Sequence, residues 1–215
     1  MRLTTGKNKF FCIIFATKLK QFRLIFVRVF LMTEEEIEII KGCINGDTNC
    51  QKRLYMAYGP LIKGICLRYA SNEQEGEDLF HDTFIFILTH FNNFNTITSL
   101  DGWLRRITIN KAIDWYRKSH LHFENPVEDY VEAFSTTIDL DETMLSMKQL
   151  TAFINELPLK YRTAFNLYII DEMKPSKVAM MMGETEVNVR SLVSRARAML
   201  RKRINNYLRK DNLDL

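Results

Sequence analysis

The sequence has few of the residues that interrupt regular structure: its 215 residues include 8 glycines and 4 prolines. This scarcity excludes collagen-like chains and chains kept disordered by glycine and proline. The 4 cysteines, Cys12, Cys43, Cys50 and Cys66, form no CxxC pair, and no histidine lies at a zinc-finger spacing from them. They indicate reduced structural thiols of a cytoplasmic protein, without a disulfide framework or a metal site.

The sequence also lacks a glycine-rich phosphate loop, a serine elbow and any cluster of metal-ligand residues. We therefore predict that the protein is not an enzyme and needs no cofactor, metal or small-molecule substrate. The net charge is only +4, but the charges are separated along the chain. They are all basic in residues 1–31, all acidic in residues 121–147, and mainly basic in residues 186–210. This separation suggests an anionic partner for the basic end and a linker role for the acidic stretch.

The first 31 residues also lack an apolar run long enough to cross a bilayer, which takes about 20 residues. Residues 10–17 form the longest uncharged run, and no clear signal-peptide cleavage site follows. Two interpretations stay open: residues 10–31 form a basic amphipathic segment on a membrane surface, or residues 1–31 are an upstream extension outside the native protein. We favour the extension, because Thr33 and Glu36 after Met32 have the spacing of a capping box at a helix start.

Beyond Met32 the apolar residues recur at helical spacing, and no turn-bounded alternation of strands is visible. We predict an all-α protein with one helical domain over residues 32–120 and a second over 144–209. A flexible acidic linker over 121–143 joins them, since this stretch has no consistent period, and a short tail covers 210–215. The predicted helices span residues 33–44, 49–69 with a bend at Gly59-Pro60, 74–91, 100–119, 144–156, 160–170, 175–182 and 185–208.

The second domain ends in a helix-turn-helix pattern. Pro175 starts one helix, Gly183 supplies the turn, and Thr185 can cap the last helix. Small residues and arginines on the outer face of that helix suit close approach to the DNA major groove. A solvated basic helix is the alternative. The predicted packing face is Val189, Leu192, Val193, Ala196 and Leu200; the predicted outer face is Val187, Ser191, Ser194, Arg195, Ala198 and Lys202, flanked by Arg190 and Arg201, with Arg201, Lys202 and Arg203 as phosphate contacts.

Two segments of the first domain also carry functional patterns. Residues 75–91 begin with acidic residues and continue as a strongly apolar helix, which suggests docking on a basic protein partner or, equally, a buried core helix. In residues 99–120 an aromatic ring, cations and an amide recur along one stripe, which suits unstacked nucleic acid. The alternative is an ordinary helix with Trp103 in the core and an Asp114–Arg117 ion pair.

In order, these segments resemble the extracytoplasmic-function group of bacterial sigma factors, within the sigma-70 family. The resemblance covers nearly all of residues 32–208 and is carried by GEDLFHDTFIFI, DGWLRRITINKAIDWYRK, the acidic linker, ELPLKYR and SRARAML. It implies a cytoplasmic factor that binds core RNA polymerase, recognises promoter DNA, helps to melt it, and is held by an anti-sigma factor. An autonomous helix-turn-helix regulator that acts without polymerase is the alternative.

The resemblance also implies roles for individual residues, although the chain departs from the usual pattern at His81, Lys177 and residues 180–182. The acidic linker would thread toward the active-site and RNA-exit channels of the polymerase. The residues expected to bind core polymerase are Asp78, Leu79, Phe80, His81, Asp82, Thr83 and Phe84. Those expected to bind the minus-ten element, including a flipped base, are Phe94, Trp103, Arg106, Asn110, Asp114 and Arg117. Those expected to read the minus-thirty-five element are Thr185, Val187, Asn188, Arg190, Ser191, Ser194, Arg195 and Arg197.

Overall fold

The computed structural model describes residues 32–91, 99–120 and 146–211. All regular secondary structure in these residues is helical, with no strand. The described residues form two separate compact units, one within residues 32–120 and one within residues 146–211. The predicted all-α class with two helical domains is therefore confirmed. Residues 1–31 and the predicted linker over 121–143 lie outside the described residues.

Four helices make up the N-terminal domain: α1 (Glu34–Ile44), α2 (Thr48–Tyr69), α3 (Glu73–Thr89) and α4 (Leu100–His120). Helix α2 packs against each of the other three, and α3 also packs against α4. The helix α2 continues through Gly59 and Pro60 as one element.

Side-chain caps explain where these helices begin. The predicted capping box of α1 is confirmed: Glu36 N donates to Thr33 Oγ1 at 3.2 Å, and Thr33 N donates to Glu36 Oε2 at 2.8 Å. Asn72 Oδ1 accepts from Glu75 N at 2.9 Å, so α3 begins at Glu73. It ends at Thr89, because His90 leaves helical geometry with φ −118° and ψ 17°. The predicted end at residue 91 is therefore two residues too late.

The core of the N-terminal domain consists of aliphatic and aromatic side chains from all four helices. Leu54, Ile62 and Tyr69 of α2 and Leu104 of α4 are fully buried. Burial of each such side chain contributes on the order of 1.5–3 kcal/mol to folding. The positions of α3 and α4, which carry the candidate sites, are thus fixed by their contact with α2.

Gly76 in α3 permits a close approach to α2. A Cβ at this position would lie 2.5 Å from Leu67 Cδ2 and 3.3 Å from the Leu67 backbone Cα. Gly76→Ala should therefore lower the free energy of unfolding by about 1–3 kcal/mol. Gly64→Ala in α2 is the matched control, because its added Cβ meets nothing within 4 Å, and it should raise that free energy by about 0.5–1 kcal/mol. Urea unfolding measures both; shifts of the same sign would contradict the close approach.

The C-terminal domain contains α5 (Met147–Asn155), α6 (Leu159–Phe165), a π-helical turn (Asn166–Ile170), α7 (Pro175–Met182) and α8 (Glu186–Asp211). Helices α5, α6 and α7 all pack against α8. The predicted packing face of α8 is confirmed, since Val189, Leu192, Val193, Ala196 and Leu200 are all buried.

Two predicted helix boundaries and one predicted helix type in this domain are wrong. Helix α5 begins at Met147 and not at residue 144, because Ser146 and Gln149 form a capping box at its start. The second half of the helix predicted over 160–170 is π-helical: Asp171 N donates to Asn166 O, five residues back, at 2.8 Å. Helix α8 runs to Asp211, into the predicted tail, because its apolar face continues through Ile204 and Leu208.

Candidate nucleic-acid and protein interfaces

Helix α3 divides the seven residues predicted to bind polymerase between two faces. Leu79, Phe80 and Thr83 are buried against the rest of the domain. The exposed members are Asp78, His81 and Asp82, and Phe84 is half-buried. Because Leu79, Phe80 and Thr83 are buried, they can support a docking surface but cannot themselves contact a partner.

Ile85 was not among the predicted residues, yet it belongs to the exposed face of α3. Its side chain is 62% exposed, and it follows Asp78, His81 and Asp82 at helical spacings of three and four. The same spacing in the sequence could have identified it. We call the surface formed by Asp78, His81, Asp82 and Ile85 the docking face.

Neighbouring side chains of α2 support the docking face. The Tyr55 ring packs edge-on against Phe80 and Phe84, with centroid distances of 5.8 and 5.2 Å. Lys63 Nζ donates to Glu77 Oε1 at 2.8 Å, which lowers the pKa of Glu77 and raises the pKa of Lys63. An aromatic contact and an ion pair thus join α2 to the flank of the helix.

The predicted stripe on α4 is mostly exposed. Arg106, Asn110, Asp114 and Arg117 are exposed, while Trp103 is half-buried. The Trp103 ring stacks on the buried Phe91 ring, with centroids 5.1 Å apart and an interplanar angle of 26°. Trp103 therefore contributes to packing, and part of its ring is still exposed to solvent. We call these five residues the α4 stripe; Phe94, also predicted for this site, lies outside the described residues.

The helix-turn-helix is formed by α7, a turn and α8. Gly183 ends α7 with φ +70°, the left-handed conformation that glycine adopts at little cost. Thr185 Oγ1 accepts from Asn188 N at 3.1 Å, which confirms the predicted cap of the last helix. The turn thus follows the arrangement expected from the sequence.

A polar network holds this turn against α6. Lys160 Nζ lies 2.7 Å from Glu184 Oε1, and Asn188 Nδ2 donates to Glu184 Oε2 at 2.5 Å. Burial raises the pKa of the Glu184 carboxyl, but the bonds from Lys160 and Asn188 outweigh it, so the pKa lies below its usual range. Asn188, predicted to contact DNA, therefore also supports the turn.

The remaining predicted residues of α8 lie at or near its surface. Val187 is 79% exposed in the first turn, although an apolar side chain gains nothing from water. Arg190 is exposed and lies 3.7 Å from Glu186. Thr185 and Ser194 are exposed; Ser191, Arg195 and Arg197 are half-buried.

Arg203, a predicted phosphate contact, has a partner inside the domain. Arg203 forms an ion pair with Glu156 at the end of α5. In the same region the Tyr207 ring packs against Phe153 with centroids 5.6 Å apart, and Gln149 Nε2 donates to the Tyr207 hydroxyl. This end of α8 therefore anchors α5.

Within the described ranges, no group of histidine, cysteine and acidic side chains could hold a metal ion. Burial raises the pKa of Cys43 to about 11 and that of Cys66 to about 12, so these thiols stay protonated. In residues 32–91, 99–120 and 146–211, no helix has the length and apolar character needed to cross a membrane.

Two family models match the chain, one in each helical domain: Sigma-70 region 2 over residues 54–121, and Sigma-70, region 4 over residues 147–200. The ECF RNA polymerase sigma factor SigM of Bacillus subtilis is 26% identical over 154 residues, 71% of this chain and 93% of SigM. SigW of the same organism is 26% identical over 187 residues, 82% of this chain and 98% of SigW. In a solved structure of the sigma factor RpoE with the anti-sigma factor NepR from Bartonella quintana, the match covers 72% of this chain and 96% of the other, with 22% identity and a TM-score of 0.44.

Proposed function

The chain belongs to the extracytoplasmic-function group of the sigma-70 family of bacterial RNA polymerase factors, and on this premise we propose how its surfaces divide the work of promoter recognition. It binds core RNA polymerase, recognises two promoter elements and helps to open the duplex. The observation that carries the assignment is that regions 2 and 4 match in order, one in each helical domain. Members of this family are initiation factors and not enzymes.

The docking face of α3 is the proposed contact with core RNA polymerase. It combines two carboxylates, Asp78 and Asp82, with an exposed aliphatic side chain, Ile85. The carboxylates would align the helix on a basic surface, and burial of Ile85 would supply affinity. The buried side chains of Leu79, Phe80 and Thr83 hold this face in place.

The α4 stripe is the proposed contact with the opened minus-ten strand. From Trp103 to Arg117 it extends about 21 Å along the helix, comparable to six bases at roughly 3.4 Å each. The Trp103 ring offers a stacking surface, Arg106 and Arg117 can meet the backbone, and Asn110 can bond to a base edge. Phe94 belongs to the same proposed site through the resemblance alone.

The first three turns of α8 are the proposed reader of the minus-thirty-five element. Ser191 and Ser194 are small enough to let the helix approach the bases, and Arg195, next to Ser194 and one turn beyond Ser191, can reach a guanine edge. Thr185, Asn188, Arg190 and Arg197 complete the set. Val187 offers an apolar surface for a thymine methyl group. Arg201 and Lys202 are the proposed phosphate contacts.

The proposal extends to the remaining parts of the chain. The acidic residues of 121–143 form a linker between the domains over 32–120 and 144–209 and thread into the polymerase channels. An anti-sigma factor holds the chain inactive; the RpoE described above was itself solved in complex with one, NepR. The site of action is the cytoplasm, where the polymerase and promoter DNA are found.

Run-off transcription with purified core polymerase and a promoter library tests this function. We expect transcripts from a subset of promoters only when both the chain and the core enzyme are present. Gel-shift binding to the same promoters without polymerase is the counterpart measurement. Tight sequence-specific binding by the chain alone, with no effect on run-off transcription, would instead identify an autonomous regulator.

A further inference from the structure

The first turn of α8 contains an acidic residue, Glu186, that none of the sites above includes. Its side chain is 50% exposed, and it lies next to the exposed Val187 at the start of the helix. The residues proposed to read the minus-thirty-five element are all basic or uncharged. A carboxylate among them meets the phosphates of DNA with a like charge, which weakens binding. Either the fold or a contact with DNA must therefore offset this repulsion.

The fold offsets the charge of Glu186 only in part. Arg190 Nη2 lies 3.7 Å from Glu186 Oε2, which is close enough for an ion pair but longer than a hydrogen bond. Both side chains are exposed, so the pair contributes little to stability. The helix dipole also favours a carboxylate in the first turn. Arg190 thus lowers the repulsion between Glu186 and DNA without using up the capacity of the carboxylate to accept hydrogen bonds.

The neighbouring polar side chains are engaged within the domain. Thr185 Oγ1 accepts from Asn188 N at 3.1 Å, and Asn188 Nδ2 donates to Glu184 Oε2. Glu184 also pairs with Lys160, and its side chain is only 19% exposed. The two glutamates on either side of Thr185 therefore differ. Glu184 stabilises the turn, whereas Glu186 has an exposed carboxylate at the end of α8 that is proposed to enter the major groove.

The chemistry of a carboxylate selects one kind of base edge. An ionised carboxylate only accepts hydrogen bonds. In the major groove guanine displays two acceptors and thymine displays an acceptor and a methyl group, so neither can donate to it. Adenine displays a donor beside the N7 acceptor, which repels a carboxylate. Cytosine displays the N4 amino group, the donor that acidic side chains recognise.

We propose that Glu186 reads a cytosine of the minus-thirty-five element by accepting a hydrogen bond from its N4 amino group, while Arg190 offsets the repulsion from the phosphates. This inference rests on the proposed function, since it needs the start of α8 to lie in the major groove. It adds an acidic residue to a reading surface of basic, polar and apolar side chains, and it names the base that this residue selects.

Two substitutions separate base recognition from a role in helix stability. Glu186→Gln keeps the length of the side chain, but its amide both donates and accepts and can pair with N6 and N7 of adenine. Glu186→Asp keeps the charge at the helix start and is one methylene group shorter. Base recognition predicts a changed preference in both variants. A role limited to the helix dipole predicts that Glu186→Asp behaves like the wild type.

The experiment titrates holoenzyme, formed from the full chain and core polymerase, with promoter fragments that differ only at single minus-thirty-five positions, at fixed salt. We expect one position at which the wild type prefers cytosine by roughly 5- to 150-fold, the range for one base contact. Glu186→Gln should prefer adenine there, and Glu186→Asp should lose most of the preference. Glu172→Gln, which removes an exposed carboxylate before α7, is the matched control and should keep the wild-type preference.

The outcomes distinguish this inference from the proposed function. A preference compares fragments bound by the same protein, so a partly unfolded variant does not mimic a change in preference. If the wild type discriminates among the fragments but neither Glu186 variant changes the preference at any position, recognition of cytosine by Glu186 is wrong and the function stands. An equal change in affinity for every fragment also overturns it, because charge alone would explain that result. If wild-type holoenzyme binds all fragments equally, the proposed minus-thirty-five reader fails and this inference fails with it.

Discussion

Replacement of Ile85 by glutamate should lower the affinity of the chain for core RNA polymerase by at least roughly 30-fold, the loss typical of a buried interface anchor of about 2 kcal/mol. Ile85 is 62% exposed in the free chain, so its replacement should not disturb the core. In the complex the new carboxylate would be desolvated beside Asp82, a like charge. Fluorescence anisotropy of labelled chain titrated with core polymerase, at fixed salt, measures the effect.

Ile44→Glu is the matched control. Ile44 lies in the same domain, at the end of α1, and is 42% exposed, so the same chemical change occurs outside the docking face. We expect unchanged polymerase affinity and, for both variants, a thermal unfolding curve close to that of the wild type. Equal loss of affinity in the two variants would show that the docking face is not where polymerase binds.

Arg195→Ala should weaken recognition of the minus-thirty-five element by about 1–3 kcal/mol, or roughly 5- to 150-fold in affinity. Arg195 lies beside Ser194 on α8, where the small hydroxyl side chain leaves room for the guanidinium to reach a guanine edge. The measurement is holoenzyme binding to promoter fragments that differ only at single minus-thirty-five positions. The loss should be largest at one position, because a bidentate contact reads one base.

Arg209→Ala removes the same charge from the same helix and is the matched control. It lies 14 residues further along α8, about 21 Å from Arg195, and is exposed. We expect it to leave base preference unchanged. Core binding should be normal for both variants, while Asp78→Ala should weaken core binding and leave minus-thirty-five preference intact. If Arg195→Ala and Asp78→Ala impair the same step, the two surfaces are not separate.

Local patterns were sufficient to predict much of the C-terminal domain. The apolar positions of α8 recur at helical spacing, so its buried face follows from geometry alone. Gly183 and Thr185 mark the turn because each has a local backbone or capping role. The π-helical turn at 166–170 could not be predicted this way. It depends on how the end of α6 packs against its neighbours, and the local sequence pattern does not specify this packing.

For the segment predicted to bind polymerase, residues 78–84, local patterns were not sufficient. A continuous motif from Asp78 to Phe84 covers both faces of a helix, so it necessarily includes core residues such as Leu79 and Phe80. Composition left docking and burial as equal alternatives, and the structure contains an exposed face and a buried face on opposite sides of α3. Ile85 was not predicted because it lies one position beyond the predicted range 78–84. The contact between Lys111 of α4 and Phe86 of α3 was not predicted either, because it joins two helices and depends on tertiary packing.

The anchoring of Tyr207 on α5 has a mechanical consequence for α8. Val187 and Tyr207 are 20 positions apart on one uninterrupted helix, about 30 Å. A tilt of about 7° around the Tyr207 end would displace Val187 by roughly 3.5 Å, one base-pair step along DNA. Gln149 and Phe153 hold the Tyr207 end of α8 in place, so their contacts limit such a tilt. We therefore expect side chains that lie far from the proposed DNA contacts to influence which base pair the first turns of α8 meet.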